Sequence, residues 1–166
     1  MSKLNATNVN DWNELNTAII SINGGVQSSP ITFSANITYS DITRPLGINN
    51  LFSPTSNTIT IDGQGKTFSN NSPTPARGFM ALGSSGTKHT IKNLTFLNSH
   101  AKGGDGGPPS GGGGAGVGGA LFIKQGVTLT IENTTFNSCS AEGGRGAKFL
   151  KETGGGGGGG LHGAGG

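Results

Sequence analysis

Apolar residues in this chain fall in runs of two to four, separated by polar turns. Only one stretch has helical spacing: Trp12, Leu15, Ile19 and Ile22 recur on one face. It opens with Asp11 and Glu14 placed as in a capping box, and Gly24-Gly25 stops it. The pattern predicts one amphipathic helix within a cap of residues 1–29. After it the runs are too short for helices and rich in Thr, Ile and Phe, which suit strands. Strands are expected at Ile31–Phe33, Ile37–Tyr39 and Thr58–Ile61, then at Thr67-Phe68 after a tight turn over Asp62–Lys66. Three more should lie in FMAL (79–82), TI (90–91) and LTF (94–96).

The later runs repeat. Residues 89–107 (HTIKNLTFLNSHAKGGDGG) and 129–147 (LTIENTTFNSCSAEGGRGA) are identical at nine of 19 positions with a constant offset of 40. Gly86 answers Gly126, Phe79–Leu82 answers Ala120–Ile123, and Gly160-Leu161-His162 resembles the opening of a third unit. Three short strands in a compact half-unit, repeated, are the pattern of a parallel β-helix rung, which buries its inward face only when stacked. Ile91 and Ile131, and Phe96 and Phe136, are then expected to stack inside the core.

Between the second and third strands of each unit stand Asn93 and Asn133. Asparagine tolerates the left-handed backbone of a sharp corner, and stacked Asn side chains can hydrogen-bond along the axis. A corner Asn followed by a strand Thr also spells a glycosylation sequon, so the sequons at Asn5, Asn36, Asn70, Asn93 and Asn133 are expected by-products of this pattern. Charge inverts at the same offset: Lys92 faces Glu132, Lys102 faces Glu142 and Asp105 faces Arg145. Rungs stack at roughly 4.8 Å, so these are expected inter-rung charge pairs. Exposed pairs of that kind contribute only ~0–1 kcal/mol each.

Composition sharpens this picture. Of 166 residues, 33 are glycine, and 24 of those lie in two tracts, 11 within 102–119 and 13 within 143–166. Each tract follows the same point of the repeat, so they read as glycine-rich insertions at 102–119 and 142–159 within rungs spanning 30–166. Two readings remain open for them: flexible loops, which cost little closure entropy, or extended glycine strands packed at close approach. Only 11% of residues are charged, with 11 basic against 8 acidic and a net charge of +3. The bases are scattered singly, which gives no nucleic-acid footprint. No apolar run approaches the roughly 18 residues of a membrane span. The single cysteine, Cys139, rules out an internal disulfide framework and is expected at a small-residue turn position. Met1-Ser2-Lys3 leads into polar sequence without a secretory apolar region, and the third unit breaks off at Gly166. The sequence is therefore expected to be a fragment of a longer protein.

TITIDGQGKTF (58–68), the F-x-A-L strand (79–82) and TIKNLTF (90–96) resemble the pectate-lyase-like right-handed β-helix superfamily. Gly118-Gly119-Ala120-Leu121 with TIENTTF (130–136) is similar to bacterial autotransporter passenger domains, and to the polymorphic outer-membrane proteins in particular. Those proteins pair a GGA[ILV] motif with F-x-x-N; the first occurs once here, and the second is not matched at Phe96 or Phe136. The resemblance implies an all-β, right-handed parallel β-helix with an N-terminal capping helix. It implies the surface-exposed stalk of an adhesin, exported through a C-terminal barrel outside this sequence.

The superfamily also contains polysaccharide lyases and hydrolases. Hydrolysis needs two carboxylates facing one bond, yet no two of Asp11, Glu14, Asp41, Asp62, Asp105, Glu132, Glu142 and Glu152 recur on one strand. Arg44 and Arg77 stand alone as candidate lyase bases. His89, aligned with Leu129, is expected to be half-buried; His100 and His162 lack partners at ligand spacing. Gly103–Gly107 lacks the recurring Asp of a calcium-binding glycine repeat, and no phosphate-loop motif occurs. The residues give no catalytic, metal or cofactor site, and the resemblance implies a non-enzymatic adhesive surface protein of the outer membrane or secreted space. Its expected partner is a cell-surface receptor or glycan, with self-association and no nucleic acid. The alternatives are a fibre subunit assembling through open β-helix ends and a tailspike-like module that binds or cleaves carbohydrate.

Overall fold

The computed structural model describes residues 7–24, 30–39, 46–48, 58–108 and 111–147. Its architecture is strand-rich, with one helix and three sheets whose strand pairings are all parallel.

Helix α1 spans Trp12–Asn23. The Asp11 side chain caps it by accepting from the Glu14 N–H at 2.9 Å. The reciprocal bond falls one residue earlier than in a capping box, because Glu14 Oε2 accepts from the Asn10 N–H at 2.7 Å. Leu15, Ala18, Ile19 and Ile22 are buried, Trp12 is half-buried, and Gly24 forms the C-cap. The cap is not helical throughout: β1 (Thr7–Val9) lies ahead of α1 and pairs with β2 (Ile31–Phe33), so the ladder crosses the boundary expected at residue 29.

The main sheet runs β1, β2, β5 (Thr60–Asn70), β7 (Lys88–Leu97) and β10 (Thr128–Glu132). To it are added β3 (Ile37–Tyr39) on β5 and β11 (Thr135–Asn137) on β7. A second sheet orders β4 (Leu46–Ile48), β6 (Phe79–Ala81) and β9 (Leu121–Ile123). In the third, β8 (His100–Lys102) pairs with β12 (Ser140–Glu142).

Register places like on like. Ile31 pairs with Ile61, Ile61 with Ile91 and Ile91 with Ile131; Phe68 pairs with Phe96 and Phe96 with Phe136. The last layer follows its predecessor at an offset of 40 across β10, β11 and β12. In the second sheet the offset is 42: Phe79 pairs with Leu121 and Ala81 with Ile123, one residue beyond the alignment expected from sequence. Short apolar runs without shared identities fix that register poorly.

The core is a column of rings inside the layers. Phe68 stacks on Tyr39 at 4.3 Å and on Phe79 at 4.8 Å, and meets Phe96 edge-on at 6.1 Å. Phe96 and Phe136 stack nearly parallel at 5.3 Å, yet only Phe96 is buried; Phe136 remains 46% exposed and Ile131 42%. The expectation that both members of each pair sit inside the core is corrected for Phe136 and Ile131. No strand lies beyond them among the described residues.

Candidate interaction surface

Three features distinguish the molecule's flank from an ordinary solvated surface. The first is a polar ladder at the corners. Asn93 and Asn133 adopt φ of 53° and 44°, the left-handed backbone expected of them. Asn133 Nδ2 donates to Asn93 Oδ1 at 2.9 Å, and Asn93 Nδ2 donates to Asp62 Oδ1 at 3.0 Å. Asp62 accepts but donates nothing when ionised. It therefore fixes the polarity of the column: each Asn below must point its oxygen at the amide above. Burial pushes the Asp62 carboxyl up, but the Asn93 amide, the Gln64 N–H and Lys92 outweigh it, and the group lies below its ordinary range. Asn98 and Ser138 form a second left-handed corner, at φ 56° and 52°, which sequence reading missed. The Asn/Ser alternation at offset 40 was its available signal.

The expected charge pairs are brought together by register but do not bond as expected. Lys92 lies beside Glu132, and Lys102 beside Glu142. Yet Lys92 Nζ pairs with Asp62 Oδ2 at 3.3 Å, and Lys102 Nζ approaches Asp105 Oδ1 at 3.9 Å within its own layer. Glu142 faces His100 Nε2 at 3.7 Å. Asp105 meets Arg145 through the backbone, with the Arg145 N–H donating to Asp105 Oδ1 at 2.8 Å. Neighbouring layers carry other carboxylates and backbone donors, and these win because the offset-40 partner is only one of several groups in reach.

The second feature is the glycine tract. Segments 103–107, 111–116 and 142–147 bond to one another in all three pairings. Gly103 and Gly106 N–H donate to Glu142 and Arg145 carbonyls at 2.9 and 2.7 Å. Gly114 N–H donates to Gly104 O at 2.7 Å, Gly144 N–H to Gly114 O at 2.7 Å, and Ala147 N–H to Gly111 O at 2.8 Å. Of the two readings left open by the sequence, these residues take the packed one. Space, not backbone conformation, demands glycine here: Gly103, Gly113 and Gly144 lack positive φ, but a methyl on any of them would overlap a carbonyl of the adjoining segment. Gly143 and Gly146 differ, with their nearest such atoms at 3.7 and 3.8 Å. Residues 148–159 of the insertion expected at 142–159, and the third unit at Gly160, lie outside the described residues.

The third feature is the exposed last layer, β9 to β12, whose inward side chains include Ile123, Ile131 and Phe136.

The other candidate residues make contacts within the fold. His89 is 1% exposed, more deeply placed than the half-buried position expected. Its Nδ1 accepts from the Ile59 N–H at 3.2 Å, so Nε2 carries the proton and donates to Leu82 O at 2.9 Å. Burial holds its pKa below the ordinary histidine value, against the opposing effect of the Leu82 bond. Buried Ser99 bonds Tyr39 Oη at 2.7 Å, and burial pushes the Tyr39 phenol up to about 12. Cys139, aligned with Ser99, is half-buried and directs its thiol to the Asn137 carbonyl at 3.4 Å. The Asn36 and Asn70 amides, unlike those of the ladder, are engaged with backbone: Asn36 Oδ1 accepts from Thr67 N–H, and Asn70 Oδ1 from Ser72 N–H, both at 2.9 Å. Asn5, Asp41, Arg44, Glu152 and His162 lie outside the described residues. Among the described residues no three His, Cys, Asp or Glu side chains gather into a metal-binding group, and no helix is long and apolar enough to cross a membrane.

No family model matches this chain, and neither the curated proteins nor the solved structures contain a match to it.

Proposed function

We propose that the chain is a right-handed parallel β-helical part of a non-enzymatic adhesive protein, acting at the cell surface or secreted, in the manner of an autotransporter passenger. The observation that carries this reading is the layer-on-layer parallel register with like residues stacked, at an offset of 40 between the last two layers of the main and third sheets. Parallel strands joined by crossovers in one sheet are right-handed in almost all proteins, which supplies the hand. Successive layers extend a rod without requiring a cleft, and the glycine segments add a flank made almost wholly of backbone. Such a flank is flat and fixed by its own hydrogen bonds, and it presents the exposed Asp105, Glu142 and Arg145 side chains to a glycan or a receptor loop.

Adhesion and catalysis predict different results with the same material. Beads coated with the full chain should adhere to cells bearing the receptor or to one class of glycan on an array. Polysaccharides incubated with it should keep their chain length. Depolymerisation abolished by Asp62→Asn or Glu142→Gln would overturn the non-enzymatic reading; failure of the beads to bind any surface would remove the adhesive one.

A further inference from the structure

His89 ties together two segments that are distant in sequence. Its Nδ1 accepts from the N–H of Ile59, on the approach to β5, and its Nε2 donates to the carbonyl of Leu82, just after β6. The residue is buried, so both bonds are shielded from solvent. Histidine is also the side chain whose ordinary pKa, about 6.5, places its change of charge near neutrality. Once protonated it donates from both nitrogens and can no longer accept from Ile59. Two N–H groups would then face each other across the 3.2 Å of the present bond.

Nothing among the described residues around the ring balances that charge. Leu129 of β10 stands in register with His89, and Ile59 and Leu82 complete its contacts. The ionisable groups of the elements packed here are turned to other partners or to solvent. Asp62 of β5 pairs with Lys92 of β7, Lys66 lies beyond the irregularity that follows Asp62, and Lys88 and Glu132 are exposed. Arg77 precedes β6, at its other end. Lys124 Nζ bonds the Gly83 carbonyl at 3.1 Å, which sets a cation, not an acid, beside the same turn. Both tied segments also sit where local opening costs little. Ile59 lies one residue before β5 begins, and Leu82 leads into a turn whose tip, Ser84 to Gly86, is exposed. Exposed backbone at element ends opens at less than the global cost.

We propose that His89 is a proton-operated latch. Neutral, the ring ties the approach to β5 to the turn 82–87; protonated, it swings out past the exposed tip of that turn and opens this corner while the stacked layers remain. The columns that hold the layers do not pass through the ring: Ile61 pairs with Ile91 and Phe68 with Phe96 on their own. The turn keeps only short-range bonds of its own and one to the next layer, Thr87 N–H to Ser84 O at 3.1 Å and Gly86 N–H to Gly126 O at 2.7 Å.

Hydrogen exchange of the full 166-residue chain, followed by NMR from pH 7 to pH 5 and corrected for intrinsic rates, tests it. Opening linked to one proton should reduce protection of the Ile59, Gly86 and Thr87 amides by about tenfold per pH unit below about 6.5, reversibly. The Phe79 and Gly103 amides, bonded to the Ala120 and Glu142 carbonyls, should keep theirs. His89→Gln retains one acceptor and one donor but does not titrate, and should make Ile59 protection independent of pH. Where that variant does not fold, the wild-type ring decides: its imidazole signals should titrate below the ordinary midpoint, and the fall in Ile59 protection should level off where they do. Ile59 protection that stays flat with pH, an equal loss in His89→Gln, a ring that titrates at the ordinary midpoint, or simultaneous loss at Phe79 and Gly103 would each overturn the proposal.

Discussion

Alanine substitution at neighbouring glycines should separate packed glycine segments from loose ones. Gly144→Ala directs a methyl at Gly104 O, well inside the 3.0 Å that real Cβ contacts essentially never cross. Segments 103–107 and 142–147 must part by about an ångström, which breaks a bond between them, Gly103 N–H to Glu142 O or Gly106 N–H to Arg145 O. Overpacking costs ~1–3 kcal/mol and a lost hydrogen bond ~0.5–1.5 kcal/mol, so a loss of about 2–4 kcal/mol is expected. Gly143→Ala, one residue away, meets nothing closer than 3.7 Å. There the substitution should be neutral or stabilising by ~0.4–1 kcal/mol, since alanine restricts the unfolded chain. Gly113→Ala should behave like Gly144→Ala, because its methyl would overlap Gly144 O. The readouts are urea midpoints and hydrogen exchange at the Gly103 and Gly106 amides, which should lose protection in Gly144→Ala and keep it in Gly143→Ala. Equal behaviour of the two variants by both measurements would refute the packing argument.

Three further outcomes are expected. Phe96→Ala should cost ~3–5 kcal/mol as a buried aromatic truncation, whereas half-exposed Phe136→Ala should cost less than half of that; urea melts of the pair check the asymmetry. His89 is held neutral, with its pKa below the unfolded value of about 6.5, so the unfolded chain binds the extra proton first. The stability His89 contributes is present above that unfolded value and lost as pH falls below it toward the folded pKa. His89→Leu should abolish that dependence in melts between pH 7 and 5, at a cost of ~1–3 kcal/mol for each of the Ile59 N–H and Leu82 carbonyl left unpaired. Asn93→Gly keeps the left-handed corner but removes both ladder bonds, and should cost about 1–3 kcal/mol; Asn93→Asp, which sets a second carboxylate against Asp62, should cost more and recover part of the loss at pH 4.

The repeat made much of this arrangement legible. Identical residues at offset 40 indicated which strands stack, that Asn93 and Asn133 turn corners, and that Ile91 and Phe96 face inward. The helix was legible from its spacing and from Asp11, because capping and periodicity are local properties. Partner choice was not. Lys92 turns to Asp62 instead of Glu132, since an exposed ion pair is weak and Asp62 is already fixed by Asn93 and Gln64. Leu129 stands where His89 stands one layer earlier, and no pattern of letters shows that Ile59 and Leu82 present a donor and an acceptor at the right separation.

Glycine marks the division most clearly. The sequence alone determined where the tracts lie and what flanks them. It left their state open, because a residue without a side chain records no inward or outward face. Only the tertiary structure decided that Gly103, Gly113 and Gly144 are required for close backbone approach while Gly143 and Gly146 are not. That difference arises from segments distant along the chain meeting at hydrogen-bonding distance, where the space left for a Cβ is set by a neighbour's carbonyl and not by the glycine's own surroundings in sequence.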